Sequence, residues 1–515
     1  MGRVLTNRLS MAFGVEPTLG AAPTTYKLLE PNGISSYGAT ISKIVRDPIS
    51  KDRQRRKGTT VDLDSAVEFE HDLTREVFKD FVEGFAFAGA LHPFSGTTTR
   101  QKPLKSGALF DNLAADNDAP PAGVDAGYTH NAISQAFVAN RLVFARGFTD
   151  ATNNGLKVII AGSTTTATLI STALVDETPG NTANASIEIA GHRAATGDLA
   201  ITVSGSPAVA TITSTALNFT TLGLTVGQFV HVGGLTSANW FSATNRGYGR
   251  IKTIAANTLT LDNIDSTLAT DTGVGDTVDL LYGAWVRNVA VDHADFLERS
   301  YQFELKFPGL QNPSGDEFEY AKGNIAATMS LQVPLADKAL VTWGFIGTDT
   351  PAPTVTQQGP ASTPQNPVET TAYNTSSDIS RLRIKDSSEG LLTSCLKDVT
   401  ISLDNEVSAE KCLGTLAATF MNQGKFLVNL EGQVLLTDSK LLAAVRNNTT
   451  VAMDGLFRND NGAIAFDIPS MTLGDGSLDL PVNESVITNV SGEAFKDVLL
   501  GYSISFSLFP QVPLV

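Results

Sequence analysis

The pattern that most limits how this chain can fold is a strand-then-helix unit that occurs twice. Between Val61 and Glu70, the residues Val61, Leu63, Val67 and Phe69 alternate with Asp62, Asp64, Glu68 and Glu70, so a strand there shows one apolar and one acidic face. Leu73, Val77, Phe78 and Phe81 follow at three- to four-residue spacing, with Asp72 or Thr74 available near the N-cap, which predicts an amphipathic helix ending near Gly84. Far downstream, Val428, Leu430 and Val434 alternate with Asn429, Glu431 and Gln433, and after Asp438 the residues Leu441, Leu442 and Val445 predict a second short helix. A further correspondence joins the stretch from Leu331 to Lys338 with that from Leu478 to Ser485, Pro334 falling on Pro481 and Gly315 on Gly462. With Val61 matched to Val428, the two markers lie 273 residues apart in the first copy and 53 in the second. The reading is a duplicated, mainly β domain with a short helix in each copy and a large insertion in the first. The expected boundaries are 1–90 with 286–350 for the first copy, 91–285 for the insertion, 351–378 for a linker and 379–515 for the second copy.

The insertion has a repeat of its own. Leu156, Val158 and Ile160 map at an offset of 43 onto Leu199, Ile201 and Val203, and Gly191 maps onto Gly234. Short β-branched runs separated by Gly, Ser, Asn and Asp turns fill residues 155–265, which predicts a small all-β sandwich or barrel without helices. Between Pro351 and Pro367 five prolines stand among Thr, Gln, Ser and Gly, a composition expected to stay extended or mobile. Beyond Ser380 the strands expected are Leu382 to Ile384, Val399 to Leu403, Phe426 to Leu430, Thr450 to Phe457, Ile464 to Pro469 and Tyr502 to Phe509, with a hairpin turn at Asp460, Asn461 and Gly462.

Composition narrows the function. Hydrophobic residues at 42% and charged residues at 17% exclude wholesale disorder, and 37 Lys plus Arg against 53 Asp plus Glu give a net charge of −16, the wrong sign for gripping nucleic acid by counterion release. No apolar run is long enough to predict a membrane-spanning helix, and Asn7 and Ser10 interrupt any secretory apolar core, so the chain is expected to start as a mature one with no membrane partner. Cys395 and Cys412 are too few for a disulfide framework and are expected as buried small hydrophobes. The six histidines are scattered singly, Asp292 and His293 point to opposite faces of any strand, no Gly-x-Ser-x-Gly elbow occurs, and Gly424-Lys425 is followed by Phe426 where a phosphate loop needs Ser or Thr. Asp62 and Asp64 could serve a glycosidase only inside a pocket that shifts their pKa. No catalytic residue, metal or cofactor is expected.

One basic cluster stands against this background: Lys43, Arg46, Lys51, Arg53, Arg55, Arg56 and Lys57, punctuated by Pro48 and Gly58. With no aromatic residue interleaved it lacks the stacking platform of a single-strand binder. A charged hairpin loop that either stays solvated or docks on an acidic surface of another subunit is the expected form.

The run from Asp47 to Gly58 followed by Val61-Asp62-Leu63-Asp64-Ser65-Ala66 resembles the N-terminal part of tail tube proteins (major tail proteins) of long-tailed bacteriophages. The C-terminal half, with its helix around Leu441, Asn461-Gly462 turn, Pro469 strand and Pro481, resembles the same domain. The resemblance implies two tandem β-sandwich-like tube domains, joined through their inner sheets into a ring with a continuous lumen, and rings stacked into the virion tail after assembly in the host cytoplasm. Two domains per chain imply three chains per pseudo-sixfold ring. Under this reading Asp62, Asp64, Glu68, Glu70, Asn429, Glu431 and Gln433 line a lumen through which double-stranded DNA slides without specific binding. Arg46, Lys51, Arg53, Arg55, Arg56 and Lys57 contact the next ring, other tail proteins close the ends, and the insertion points outward. The rival is an extracellular or virion-surface adhesin whose Thr- and Gly-rich insertion binds a ligand; a carbohydrate-active β enzyme and a capsid-decoration protein share the composition.

Overall fold

A computed structural model of the chain describes residues 5–49, 51, 53–94, 99–117, 126–169, 173–242, 244–311, 315–358, 364–368, 370–386, 390–392, 395–437, 439–480, 482–483 and 485–514. The acidic-faced alternation folds as one long strand, β3 (Arg56–Asp72), paired with β2 (Gly33–Arg46) in an extended hairpin. The next residues turn into α1 (Arg75–Phe85), capped by Thr74, whose Oγ1 accepts from the Val77 amide at 3.4 Å. With β1 (Ser10–Val15), β4 (Ser300–Gln311), β5 (Gly315–Val333) and β6 (Leu340–Gly347), the strands form an antiparallel sheet in the order β2-β3-β6-β5-β4-β1. Helix α1 sets Phe78, Phe81, Val82 and Phe85 on one face of that sheet, with the Phe81 and Phe85 ring centroids 5.4 and 5.1 Å from Trp343. Gly84 lets α1 close on the sheet, since a Cβ there would come within 2.6 Å of the Tyr301 hydroxyl.

The second half repeats this order. With β7 (Ile379–Asp386), β8 (Leu396–Asp404), β9 (Leu427–Leu435), α2 (Lys440–Arg446), β10 (Thr450–Asn459), β11 (Gly462–Asp479) and β12 (Ile487–Ala494), the pairing is β8-β9-β12-β11-β10-β7. A final strand, β13 (Ser505–Phe509), pairs with the start of β11. Registers agree as well as order: Ile325–Ile346 and Gln332–Leu340 in the first unit stand at a constant offset of 147 from Thr472–Glu493 and Asp479–Ile487 in the second. Val428 sits opposite Leu403 as Ser65 sits opposite Ala39, so the alignment that set Val61 on Val428 is four residues out. A slip of four residues is two full pleats and leaves every side chain on its own face. Pro481, Asp438 and Glu484 lie outside the described residues, as do Ser50, Asp52 and parts of the linker.

Residues 104–282 build a separate core beneath a 13-stranded sheet. Its repeat consists of the hairpin Gly155–Gly162 with Thr166–Leu169 followed by Ser186–Arg193, and the hairpin Leu199–Ser204 with Val209–Ser214 followed by Phe229–Val232. The strand Asp279–Leu281 lies between the two halves.

The insertion is joined to both units. Toward the first, Arg75 donates to Glu188 at 2.8 Å, Arg146 to Glu76 at 2.5 Å and Lys79 to Glu188 at 2.9 Å. Burial pushes the Glu76 carboxyl up, but the Arg146, Lys79 and Arg75 charges outweigh it and hold the group at about 2. Toward the second, Phe229 and Tyr248 pack on Leu456, Ala463, Ala465 and Phe509, while Arg250 reaches Asp467 at 3.1 Å and Arg381 reaches Asp265 at 3.0 Å.

The linker 351–378, expected to be extended or mobile, is hydrogen-bonded to its neighbours at Tyr373, beyond the prolines: the Tyr373 amide donates to the Leu73 carbonyl at 3.0 Å, its carbonyl accepts from the Ala339 amide at 2.9 Å, and its hydroxyl donates to the Gly462 carbonyl at 3.2 Å. Tyr373 is fully buried, and Gln365 pairs with the strand Lys27–Leu29.

Candidate assembly surface

The two units share one sheet because β5 uses both sides of its C-terminal half. Residues from Thr328 to Gln332 pair with β6 on one side and β8 on the other. Eight strands therefore run side by side, β2-β3-β6-β5-β8-β9-β12-β11, and one row of partners crosses all of them: Gly33, Glu70, Thr342, Ser330, Ser402, Asn429, Glu493 and Thr472. One side of this sheet is core, with Val67, Phe69, Val341, Leu331, Ile401, Leu430 and Val490 buried. The opposite side is polar.

Asp62, Asp64, Glu68 and Glu70 lie on that polar side of β3, and Asn429, Glu431 and Gln433 on that of β9, all three exposed. The sheet adds Asp398 and Asp404 from β8 and Glu493 from β12, which the sequence reading left out. The alternation of Asp398, Thr400, Ser402 and Asp404 was legible beside buried Val399, Ile401 and Leu403; β12 carried no strand signal strong enough to be read. Among the described residues no Lys or Arg occupies an outward position on the stretch Asp62–Asp72 of β3, on β6, β9 or β12, or on the stretches Thr328–Gln332 and Asp398–Asp404. Among the described residues two ammonium groups reach the face from elsewhere: Lys338 pairs with Asp72 at 2.7 Å at one end, and Lys411 bonds Asp62 and, at 2.6 Å, Asp64, its hydrogen bond holding the Asp62 carboxyl below the usual carboxylate range. Lys411 belongs to a small hairpin of the β8–β9 connection, Ser408–Glu410 with Phe420–Asn422, that folds back over the first unit.

The β2–β3 hairpin is the corresponding connection of the first unit, and it projects as an arm. Lys51, Arg53 and Arg55 are exposed in its loop, Arg46 faces Arg56 across the strands, and Lys57 follows, so the six basic residues come together at one tip. Lys43 stands further down β2, making the arm longer than the loop expected. Ile41, Ile44 and Val45 are about half exposed along it.

Elsewhere the chemistry is sparse. Cys395 and Cys412 are both exposed free thiols, against the expectation of burial, because one lies in the turn before β8 and the other in the Lys411 hairpin. Among the described residues no group of three or more His, Cys, Asp or Glu side chains is arranged to hold a metal ion, and no helix is long and apolar enough to cross a membrane.

Residues 258–494 match the family model of the phage tail tube protein. The chain carries a phage tail tube region. The match runs from the last strands of the insertion through β4–β6 of the first unit and on to β12 of the second, so it takes in three of the first unit's six strands and all of β7–β12. A structural role in a bacteriophage tail tube and a mainly β, antiparallel fold agree. No curated protein matches the chain.

Proposed function

We propose that three copies of this chain close a pseudo-sixfold ring of a phage tail tube, with the acidic face turned to the lumen. The observation that supports this is the eight-strand polar sheet, which draws four strands from each unit and, among the described residues, ends in two open edges. Three chains of eight strands make a barrel of 24, wider than the 16- to 18-stranded porins that already hold an aqueous channel. Its lining of carboxylates and amides repels phosphate, so double-stranded DNA passes without binding sites to hold it. The insertion docks on α1 and the start of β11, on the side of the sheet away from the acidic face, and so forms outer wall while fixing the spacing of the two units. The basic tip from Arg46 to Lys57 contacts an acidic surface of the next ring, and other tail proteins end the tube. The role needs no catalysis and no cofactor, and assembly takes place in the host cytoplasm.

The test is DNA retention by assembled tubes. Wild-type tubes leave duplex DNA unbound at moderate salt, whereas tubes carrying Glu68→Lys, Glu70→Lys, Glu431→Lys and Glu493→Lys hold it with an affinity that falls steeply with salt. Equal retention by both would contradict an acidic lumen.

A further inference from the structure

We infer that the ring closes by a single strand pairing, in which the C-terminal half of β11 in one chain receives β2 of a second copy, with Leu478 opposite Tyr37 and Asp479 opposite Ser36. The inference rests on the tube reading above and names the surfaces that carry it out.

The template lies within the chain. On β5, Ile325 pairs with β4 on one side and β6 on the other, and the stretch Thr328–Val333 then pairs with β8 on the side that β4 has left. On β11, Thr472 pairs with β10 and β12 in the same way, and Leu478 and Asp479 pair with Thr488 and Ile487 of β12. Beyond Thr472, on the side β10 has left, no strand is paired to β11 among the described residues. The second unit is therefore missing the neighbour that β8 supplies to the first.

The equivalent of β8 in the first unit is β2. It pairs only with β3, and all of its other edge is open among the described residues. The registers fix which residues correspond: Ser36 faces Glu68 as Thr400 faces Glu431, and Tyr37 faces Val67 as Ile401 faces Leu430. Carrying the internal pairs Leu331–Ile401 and Gln332–Thr400 across gives Leu478–Tyr37 and Asp479–Ser36.

Burial points to the same pairing. Leu331 and Val333 are 2% and 5% exposed beneath β8, while their counterparts Leu478 and Leu480 are 42% and 67% exposed. The same positions of one repeat are thus dry where the neighbouring strand is present and wet where it is absent. A 14-residue edge such as β2, bearing exposed Ile34, Ile41 and Ile44, is a ready template for pairing with another chain. Because the β11 edge and β2 are different surfaces, the contact is head-to-tail and propagates until rotation closes it. Ser36 and Asp479 both lie on the polar side, so the acidic face continues across the junction.

The test is disulfide trapping in tubes of the full chain, with Cys395→Ser and Cys412→Ser as background. Ser36→Cys with Asp479→Cys puts two thiols on directly opposed positions, within reach of a disulfide. Thr40→Cys with Asp479→Cys moves one of them roughly 13 Å along the strand. The expected result is a ladder on a non-reducing gel ending at a covalently closed three-chain species for the first pair and nothing for the second. Rings by microscopy together with trapping only in the second pair, or in neither, would overturn the register and leave the tube reading standing; a parent that forms no rings removes both. Hydrogen exchange on unmodified protein gives the same decision if the thiol variants do not assemble. Amides around Ser36–Tyr37 and Leu478–Asp479 become protected on assembly if the pairing is right, and stay as fast as in the free chain if it is wrong.

Discussion

At the residue scale, the sequence was informative wherever a side chain's neighbours along the chain determine its face, and silent where a distant segment decides. The acidic positions of β3 and β9 were legible because a strand's period of two needs only local information. The register between the copies was not: the true match of Ser65 to Val428 and the expected match of Val61 to Val428 give the same alternation, and only the partners Ala39 and Leu403 tell them apart. Lys411 was equally invisible, since its bonds to Asp62 and Asp64 span 349 and 347 residues of sequence. Gly84 shows the same dependence, its lack of a side chain answering to Tyr301 on β4. Gly84→Ala is expected to lower unfolding free energy by about 1–3 kcal/mol through overpacking, despite its better helix propensity. Chemical denaturation measures this, and an unchanged midpoint would remove Tyr301 as the reason for glycine.

At the scale of elements, helix α1 and the strand before it followed from sequence pattern, whereas the proline-rich stretch did not. The Leu73 and Gly462 carbonyls and the Ala339 amide that hold the linker at Tyr373 come from distant parts of the chain, which composition does not reveal. The insertion illustrates a consequence for pH. His231 is 2% exposed, bonded through Nδ1 to the Gly233 carbonyl at 2.8 Å, and burial pushes its pKa down to about 3. Unfolding returns it to about 6.5, so the unfolded chain binds the extra proton between those values and stability falls as pH drops through that window. Relative to His231→Asn, the wild type is expected to lose up to about 1.4 kcal/mol more per pH unit between pH 6 and pH 4. Parallel stability curves for the two proteins would show that His231 does not titrate on unfolding.

At the scale of the whole molecule, the duplication is the feature with the largest consequence. One junction between the units, β5 with β8, is built into the chain, and the sheet it creates is polar along one side and, among the described residues, open at both ends. In the proposed tube the basic arm supplies a second kind of contact, between like-charged exposed residues and an acidic partner, which salt screens more strongly than the proposed strand pairing. Replacing Arg53, Arg55, Arg56 and Lys57 by Ser is therefore expected to shorten tubes while leaving single rings intact, and high salt is expected to act on wild-type tubes in the same direction. Shortening is read from tube length distributions; tubes of unchanged length would assign ring stacking to another surface. The fold class and the acidic faces of β3 and β9 were both legible in the sequence, because each is a property of repeating local patterns. The closure of that face into one sheet was not, because it depends on which strand lies beside β5.

The measurement that bears most directly on the central claim is electron microscopy of the concentrated protein, with rotational averaging of end-on views. Hollow rings of three chains with near-sixfold inner walls, and with the insertion forming density on the outside, are the predicted result. Particles without a lumen, or rings in which the insertion fills the centre, would contradict it.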